Sequence, residues 1–229
     1  MPANSIVVFD VGSTLIHPNF VTLARWLNDR TGHQRSQATV ERAFRQAVGR
    51  DISKRPLNVD LVEANKFFNA CDLPQKIEGD TARRFWAEII DSGGVNSWLY
   101  TTVDPEAEMT LVRVKALGCR VVAASNSDGT LEAELESFNL LRHFDEIFDS
   151  SIMGVEKPNE IFYRRVLQSS KALFSIHVGD DLVNDCIAAA SAGFHRALLY
   201  DPLDLFPGMP PHVKIARLSD VLSVLNAKS

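Results

Sequence analysis

Cysteine is scarce and scattered: Cys71, Cys119 and Cys186 are odd in number, far apart in the chain and include no C-x-x-C pair. This excludes a disulfide scaffold and a thiolate zinc site, and it fits free thiols in a reducing cytoplasm, the expected location. Cys119 falls in an apolar strand pattern and Cys186 in a helix pattern, so both read as buried structural residues rather than nucleophiles. No apolar run approaches the roughly 20 residues of a membrane span. The start, Met-Pro-Ala-Asn-Ser, has no basic segment, and the first apolar stretch is too short for a secretory signal. Positive charge is also in deficit: 24 Lys and Arg against 29 Asp and Glu leave a net −5. A general attraction to nucleic acid or to an anionic membrane is therefore not expected. Internal repeats and low-complexity linkers are absent too, and oligomeric state leaves no mark in the sequence.

What is present is an ordinary globular composition, 45% apolar and 23% charged over 229 residues. That length allows one large domain, or a core domain plus a smaller one. The pattern changes character twice. From about 20 to 95 it is helical: Phe20, Leu23, Ala24 and Leu27 fall at i, i+3, i+4 and i+7, and Val40, Ala43, Phe44, Ala47 and Val48 repeat the spacing. Leu61, Ala64 and Phe68, then Phe85 and Ile89, mark two further amphipathic helices, with Pro56, Pro74 and Gly93-Gly94 as punctuation. Four helices without an intervening strand predict a small bundle inserted after the first strand. From about 104 helices and strands alternate. Helices over 105–117, 130–140, 159–168 (started by Pro158), 183–192 and 219–226 are expected, with strands at 119–125, 145–149, 174–178 and 196–200. Strands joined by crossover helices predict an α/β fold with a doubly wound parallel sheet. The expected organisation is a core of residues 1–17 and 97–229 carrying a helical-bundle cap of residues 18–96. A site at the strand ends is expected beneath that cap, which would serve as a lid.

Four polar signatures punctuate the α/β part. Ser5-Ile-Val-Val-Phe is a short β-rich run that ends on Asp10, followed by a turn containing Gly12. A buried strand that delivers one carboxylate to its C-terminal end is how α/β proteins present a nucleophile or a metal ligand. Ser125-Asn126 ends the run Val121-Val122-Ala123-Ala124 with a hydroxyl and an amide. Lys157 stands in Gly-Val-Glu-Lys-Pro, and Gly179-Asp180-Asp181 is followed by Asp185. Taken singly, Asp10, Ser125-Asn126 and Lys157 read more readily as a cap, a turn and a solvated charge, and only the acid cluster favours a functional role; the weight lies in their order and in their place at strand ends. Three carboxylates within six residues would repel one another without a cation, and hard oxygen ligands suit Mg²⁺.

In this order the signatures resemble those of the haloacid dehalogenase superfamily of phosphohydrolases, and the resemblance covers nearly the whole chain. It implies an inserted helical cap and Mg²⁺ as cofactor. Asp10 would be the nucleophile and a metal ligand, the Gly12 backbone carbonyl a second ligand, Asp180 a direct ligand, and Asp185 a ligand or a supporting acid. Ser125 and Asn126 would donate to a phosphoryl oxygen and Lys157 would offset charge on the nucleophile and the phosphoryl group. Asp181 stays ambiguous. The expected function is Mg²⁺-dependent hydrolysis of a small phosphorylated metabolite through an aspartyl-phosphate on Asp10.

Phosphatases of this superfamily usually carry a second aspartate two residues after the nucleophile, where this chain has Gly12. A missing general acid typically lowers rate by roughly 10²–10⁴. His17 is the nearest substitute; substrates with good leaving groups would need none. The C–Cl-cleaving dehalogenases and P–C-cleaving phosphonatases of the superfamily also lack this aspartate. The former need no metal, and the latter need a cap lysine, for which only Lys54 and Lys66 are available between 17 and 75. A catalytically impaired metal-binding regulatory protein is the alternative from another class. From Arg25 to Arg55 there are eight basic residues against Asp29, Glu41 and Asp51, which reads as solvated helix faces or as an attraction for an anionic metabolite.

Overall fold

The computed structural model describes residues 4–48, 59–90, 97–210 and 213–227. Arg50, Asp51, Lys54, Arg55, Pro56 and Gly93-Gly94 lie outside them. Two compact units emerge, one of Met1–His17 with Val103–Ser229 and one of Pro18–Thr102.

The first unit is built on β1 (Ser5–Phe9), whose five residues are all buried. A run of β-branched and aromatic side chains with no polar face is what a strand covered on both sides requires. After β1 come β2 (Ile16–Pro18) and, beyond the helical segment described below, the elements of the sheet unit.

The helical unit begins with α1 (Phe20–Thr31) and α2 (Gln37–Ala47). Their N-caps are Asn19, which accepts from the Thr22 N–H, and Ser36, which accepts from the Thr39 N–H. α1 buries Phe20, Leu23, Ala24 and Leu27, the stripe a 3.6-residue period produces. α1 stops at Gly32, whose φ of 68° suits a residue without Cβ. α3 (Val59–Ala70) and α4 (Gly79–Ile90) complete the unit. Its core is aromatic: the rings of Phe44 and Phe67, Phe44 and Trp86, and Phe67 and Trp86 lie 6.4, 6.0 and 5.4 Å apart. Enclosing each such side chain contributes roughly 1.5–3 kcal/mol. α2 ends at Ala47, and Val48, its extended C-cap, is partly buried and still packs against this core.

The chain returns through β3 (Tyr100–Val103), which pairs with β2 in a two-stranded sheet. This pairing was not visible in the sequence, and it moves the second boundary to Val103 from the 97 expected. There follow α5 (Ala107–Ala116), β4 (Arg120–Ser125), α6 (Leu131–Ser137), β5 (Glu146–Asp149), the short α7 (Ser150–Met153), α8 (Glu160–Ser170) and β6 (Phe174–Gly179). A π-helical turn over Leu182–Ile187 leads into α9 (Ala188–Ala192), then β7 (Arg196–Tyr200), β8 (Lys214–Ile215) and α10 (Asp220–Asn226).

The six-stranded sheet has the order β5-β4-β1-β6-β7-β8, and its neighbouring strands run parallel. Phe9 is in register with Ala123 on one side and Val178 on the other. The chain builds outward from β1 through β4 to β5, then crosses to the opposite side of β1 with β6. That reversal between β1 and β6 is where doubly wound sheets open a crevice at their carboxyl ends. On one face Ile6, Val8, Val122 and Ala124 pack against Phe162, Tyr163 and Val166 of α8 and Ala188 and Ala189 of α9.

Two local expectations are corrected. Pro158 does not start α8; Asn159 caps it, accepting from the Ile161 N–H, and the helix begins at Glu160. The single helix expected over 183–192 opens as a π-helical turn, in which the Asp185 and Cys186 N–H groups both reach Asp181 O, at 2.9 and 3.3 Å. The wider turn coincides with Asp185 being carried inward, and π-turns concentrate at such places.

Candidate active site

The carboxyl ends of β4, β1 and β6 converge on a cluster of charged side chains. Asp10 continues β1, its N–H donating to Val178 O at 2.8 Å, and the residue is 6% exposed. The next residues fold back sharply: the N–H groups of Thr14, Leu15 and Ile16 all point at Val11 O, and Ser13 adopts φ 60°. Gly12 lies in this turn, bridge-paired with Ile16. The turn swings Thr14 back over the strand end, where its hydroxyl lies 3.4 Å from Asp10 Oδ2 and 3.4 Å from Asp180 Oδ1. Thr14 was not singled out in the sequence; its small polar side chain inside Gly-Ser-Thr-Leu was the available signal.

Lys157 is 2% exposed, and its Nζ sits 2.6 Å from Asp10 Oδ1 and 2.7 Å from Asp185 Oδ1. Ser125, at the end of β4, donates its hydroxyl to Asp10 Oδ1 at 3.1 Å. Asn126 is placed differently from the phosphoryl contact expected of it. Its Oδ1 accepts from the Lys157 N–H at 2.8 Å and its Nδ2 donates to Lys157 O at 3.1 Å. Such a reciprocal bridge fixes the loop that presents the lysine, because an amide matches a backbone peptide donor for acceptor. Asp181 caps the π-turn, accepting from the N–H groups of Val183 and Asn184 at 2.8 Å each.

His17 does not pair with Asp10. Its Nε2 lies 3.0 Å from Asp104 Oδ2, an oxygen that also accepts from the Tyr200 hydroxyl at 2.7 Å. In the helical unit, three of the basic residues are engaged within the unit: Arg30 with Glu88, Arg45 with Glu41, and Arg35 with the carbonyls of Cys71 and Asp72. Cys71, Cys119 and Cys186 are free and buried. Burial pushes the Cys71 thiol up to about 12, as expected of inert core residues.

Burial acts to lower the Lys157 pKa, but Asp10 and Asp185 outweigh it and hold the ammonium charged. Burial raises the Asp10 carboxyl despite the opposing pull of Lys157. At Asp185 burial also acts upward, yet Lys157 and His177 prevail and keep it below the usual carboxylate range. Two carboxylates and one ammonium leave this enclosed group net negative, before Asp180 is added. Asp10, Asp180 and Asp185 each present an oxygen within 4.8 Å of the others'. A buried, net-negative, all-oxygen set fits a hard divalent cation.

Comparison with known sequences agrees with this geometry. The sequence model of the haloacid dehalogenase-like hydrolases matches residues 5–193. The chain belongs to that family. Haloacid dehalogenase-like hydrolase domain-containing protein 3 of Xenopus laevis is 34% identical over 112 residues, covering 48% of this chain and 43% of the relative. The match thus spans less than half of that relative's length. Among solved structures, 2-haloacid dehalogenase from Pseudomonas syringae pv. Tomato DC3000 superposes with a TM-score of 0.56 at 20% identity, over 98% of this chain and 99% of that one. A HAD phosphatase from Thermococcus onnurineus gives 0.57 at 16% identity, over 96% and 97%. The haloacid dehalogenase-like fold is therefore common to phosphatases and dehalogenases, and the choice between them falls to the residues of the site. Among the described residues, no helix is long and apolar enough to cross a membrane.

Proposed function

We propose that this haloacid dehalogenase-like hydrolase is a Mg²⁺-dependent phosphohydrolase acting on a small phosphorylated metabolite, with Asp10 as nucleophile. One observation carries the reading: Lys157 Nζ lies 2.6 Å from Asp10 Oδ1 beside a group of three convergent carboxylates. Asp10 attacks phosphorus, the bond from phosphorus to the leaving oxygen breaks, and the phosphoryl group rests on Asp10 as a mixed anhydride. Water then releases phosphate and restores the carboxylate. Mg²⁺ held by Asp10, Asp180 and Asp185, with the Gly12 carbonyl, would screen the repulsion between nucleophile and substrate. Lys157 holds a fixed positive charge against Asp10, and the Ser125 hydroxyl is placed to donate to a phosphoryl oxygen once phosphate displaces it from Asp10. Gly12 has no proton to give, so the leaving group must depart with little acid assistance. The ligand in this reading is a small anion, not nucleic acid or a membrane.

The absence of an acid at Gly12 also suits a dehalogenase, and several structural neighbours carry that name. The three-carboxylate group argues against it, since halide displacement by Asp10 needs no cation. The test is turnover of an aryl phosphate by the purified chain with Mg²⁺ and with a chelator, beside chloride release from 2-chloropropionate. Activity lost on chelation and restored by Mg²⁺ is expected. Metal-independent chloride release would establish the dehalogenase, and Mg²⁺ binding without turnover of either would establish a catalytically silent metal-binding protein.

A further inference from the structure

Three side chains converge on one oxygen of Asp185. Lys157 Nζ lies 2.7 Å from Oδ1, His177 Nε2 3.0 Å and the Tyr163 hydroxyl 3.2 Å, while Oδ2 accepts from the Asp181 N–H at 3.1 Å. The Tyr163 hydroxyl has one proton, and its nearest acceptor is Asn184 O at 2.8 Å. An ionised carboxylate only accepts, so the proton between His177 and Asp185 belongs to Nε2. The other ring nitrogen, Nδ1, is buried without a hydrogen-bond partner. A second proton there would be an orphaned donor in an apolar interior, which native structures avoid. His177 is wholly enclosed. The proton on Nε2 is therefore the one aimed at Asp185.

We propose that His177 is a positioning residue: donating from Nε2, it fixes Asp185 Oδ1, and through it holds Lys157 Nζ on Asp10. The assignment rests on the reading of Asp10 as nucleophile. The ring is itself fixed, packed edge-on against Tyr163 at 4.9 Å and Phe194 at 5.8 Å. Gly179 lets Asp185 rest directly on the strand backbone, since a Cβ at that position would fall 2.2 Å from Asp185 Cγ. The donor and the bare backbone together leave the carboxylate one orientation. Remove the donor and Asp185 can turn, taking with it the contact that keeps the ammonium between two acids.

The test compares His177→Phe, which keeps the ring packing, with His177→Gln, which keeps an N–H near the Nε2 position. His177→Phe is expected to lower kcat and Mg²⁺ affinity by about 10–100-fold, the range for loss of an outer-sphere partner. KM should change little and the thermal transition should remain cooperative. His177→Gln is expected to recover most of both. Equal kcat and Mg²⁺ affinity in wild type and a folded His177→Phe would overturn the proposal. So would a folded His177→Gln as impaired as the phenylalanine variant. An arm independent of turnover is ¹⁵N NMR of the wild-type ring, which should show Nε2 protonated and Nδ1 bare, with the Nε2 signal displaced in Asp185→Asn. A protonated Nδ1 would sink the assignment even if phosphatase activity stands. The predicted tautomer in a chain that turns over no phosphate would leave the hydrogen bond intact and refute the function instead.

Discussion

In the helical unit Phe44, Phe67 and Trp86 are enclosed by other apolar side chains; at the strand ends Asp10, Lys157 and Asp185 are enclosed by one another. Both regions are equally shut off from water, yet they answer to different physics. Apolar burial is non-directional, so the bundle core tolerates an imperfection such as the buried Trp86 Nε1 without a partner. The charged cluster allows no such slack at Asp185, where both oxygens are held. A buried ion group of this kind is weak evidence for stability, since apolar side chains of similar volume commonly do as well. Its presence in a sheet that already has an extensive apolar core points to chemistry. The contrast separates a region that holds the chain together from one that holds reactive groups in place.

Asp10→Asn tests that separation most severely. Turnover should fall by on the order of 10⁴-fold or more, while circular dichroism shows an intact fold; an unchanged rate on any hydrolysed substrate would remove Asp10 as nucleophile. Next in size is the dependence on leaving group. Aryl and acyl phosphates should exceed simple alkyl phosphates by roughly 10²–10⁴ in the chemical step, measured in single turnover. Gly12→Asp should narrow that gap. Gly12 is not among the glycines with positive φ, so an aspartate there meets no backbone strain.

On the other side of the comparison, Phe44→Ala should destabilise the helical unit by roughly 3–5 kcal/mol in denaturant unfolding, and a loss below about 1 kcal/mol would show that its aromatic core does not hold the unit together. Asp180→Ala should weaken Mg²⁺ binding in calorimetry by more than about 10–100-fold, against little change for Cys186→Ser on the neighbouring turn.

The smallest effect concerns a buried acid that belongs to neither extreme. Burial, with repulsion from Asp128, Asp10 and Asp149, pushes the Glu134 carboxyl from 4.5 up to about 7. The folded state then binds more protons than the unfolded one across that window, so this group's contribution is complete below pH 4.5 and is lost as pH rises through about 7. Glu134→Gln should flatten the decline in stability over that interval, followed by thermal melts. A wild type and a variant with parallel pH profiles would show that Glu134 is better solvated than its surroundings imply.

The parallel sheet was legible because apolar β-branched runs such as Ile6-Val7-Val8 and Val121-Val122 alternate with helical periodicity. The approach of Asp10, Ser125, Lys157 and Asp185 was legible only through motif order, since nothing local brings residues 10 and 157 together. The supporting residues were not. His177 lies inside Phe-Ser-Ile-His-Val, a strand whose residues are all buried, and Tyr163 lies in the apolar stripe of α8. Side chains that turn inward from such segments look like core until their partners are known. The bridge made by Asn126 was hidden for a similar reason: an amide at a strand end has two possible audiences, and only the fold shows that it meets the Lys157 backbone. The β2–β3 pairing and β8 are too short to leave a pattern.

The Asn126 bridge carries a consequence for motion. Its amide meets the Lys157 N–H and C=O as a neighbouring strand's peptide would, so the loop is latched to the end of β4 without containing a strand. Amide hydrogen exchange at Lys157 should therefore be slow, resembling that of the sheet more than that of a loop, and the lysine should arrive at Asp10 already oriented instead of being recruited when a substrate enters.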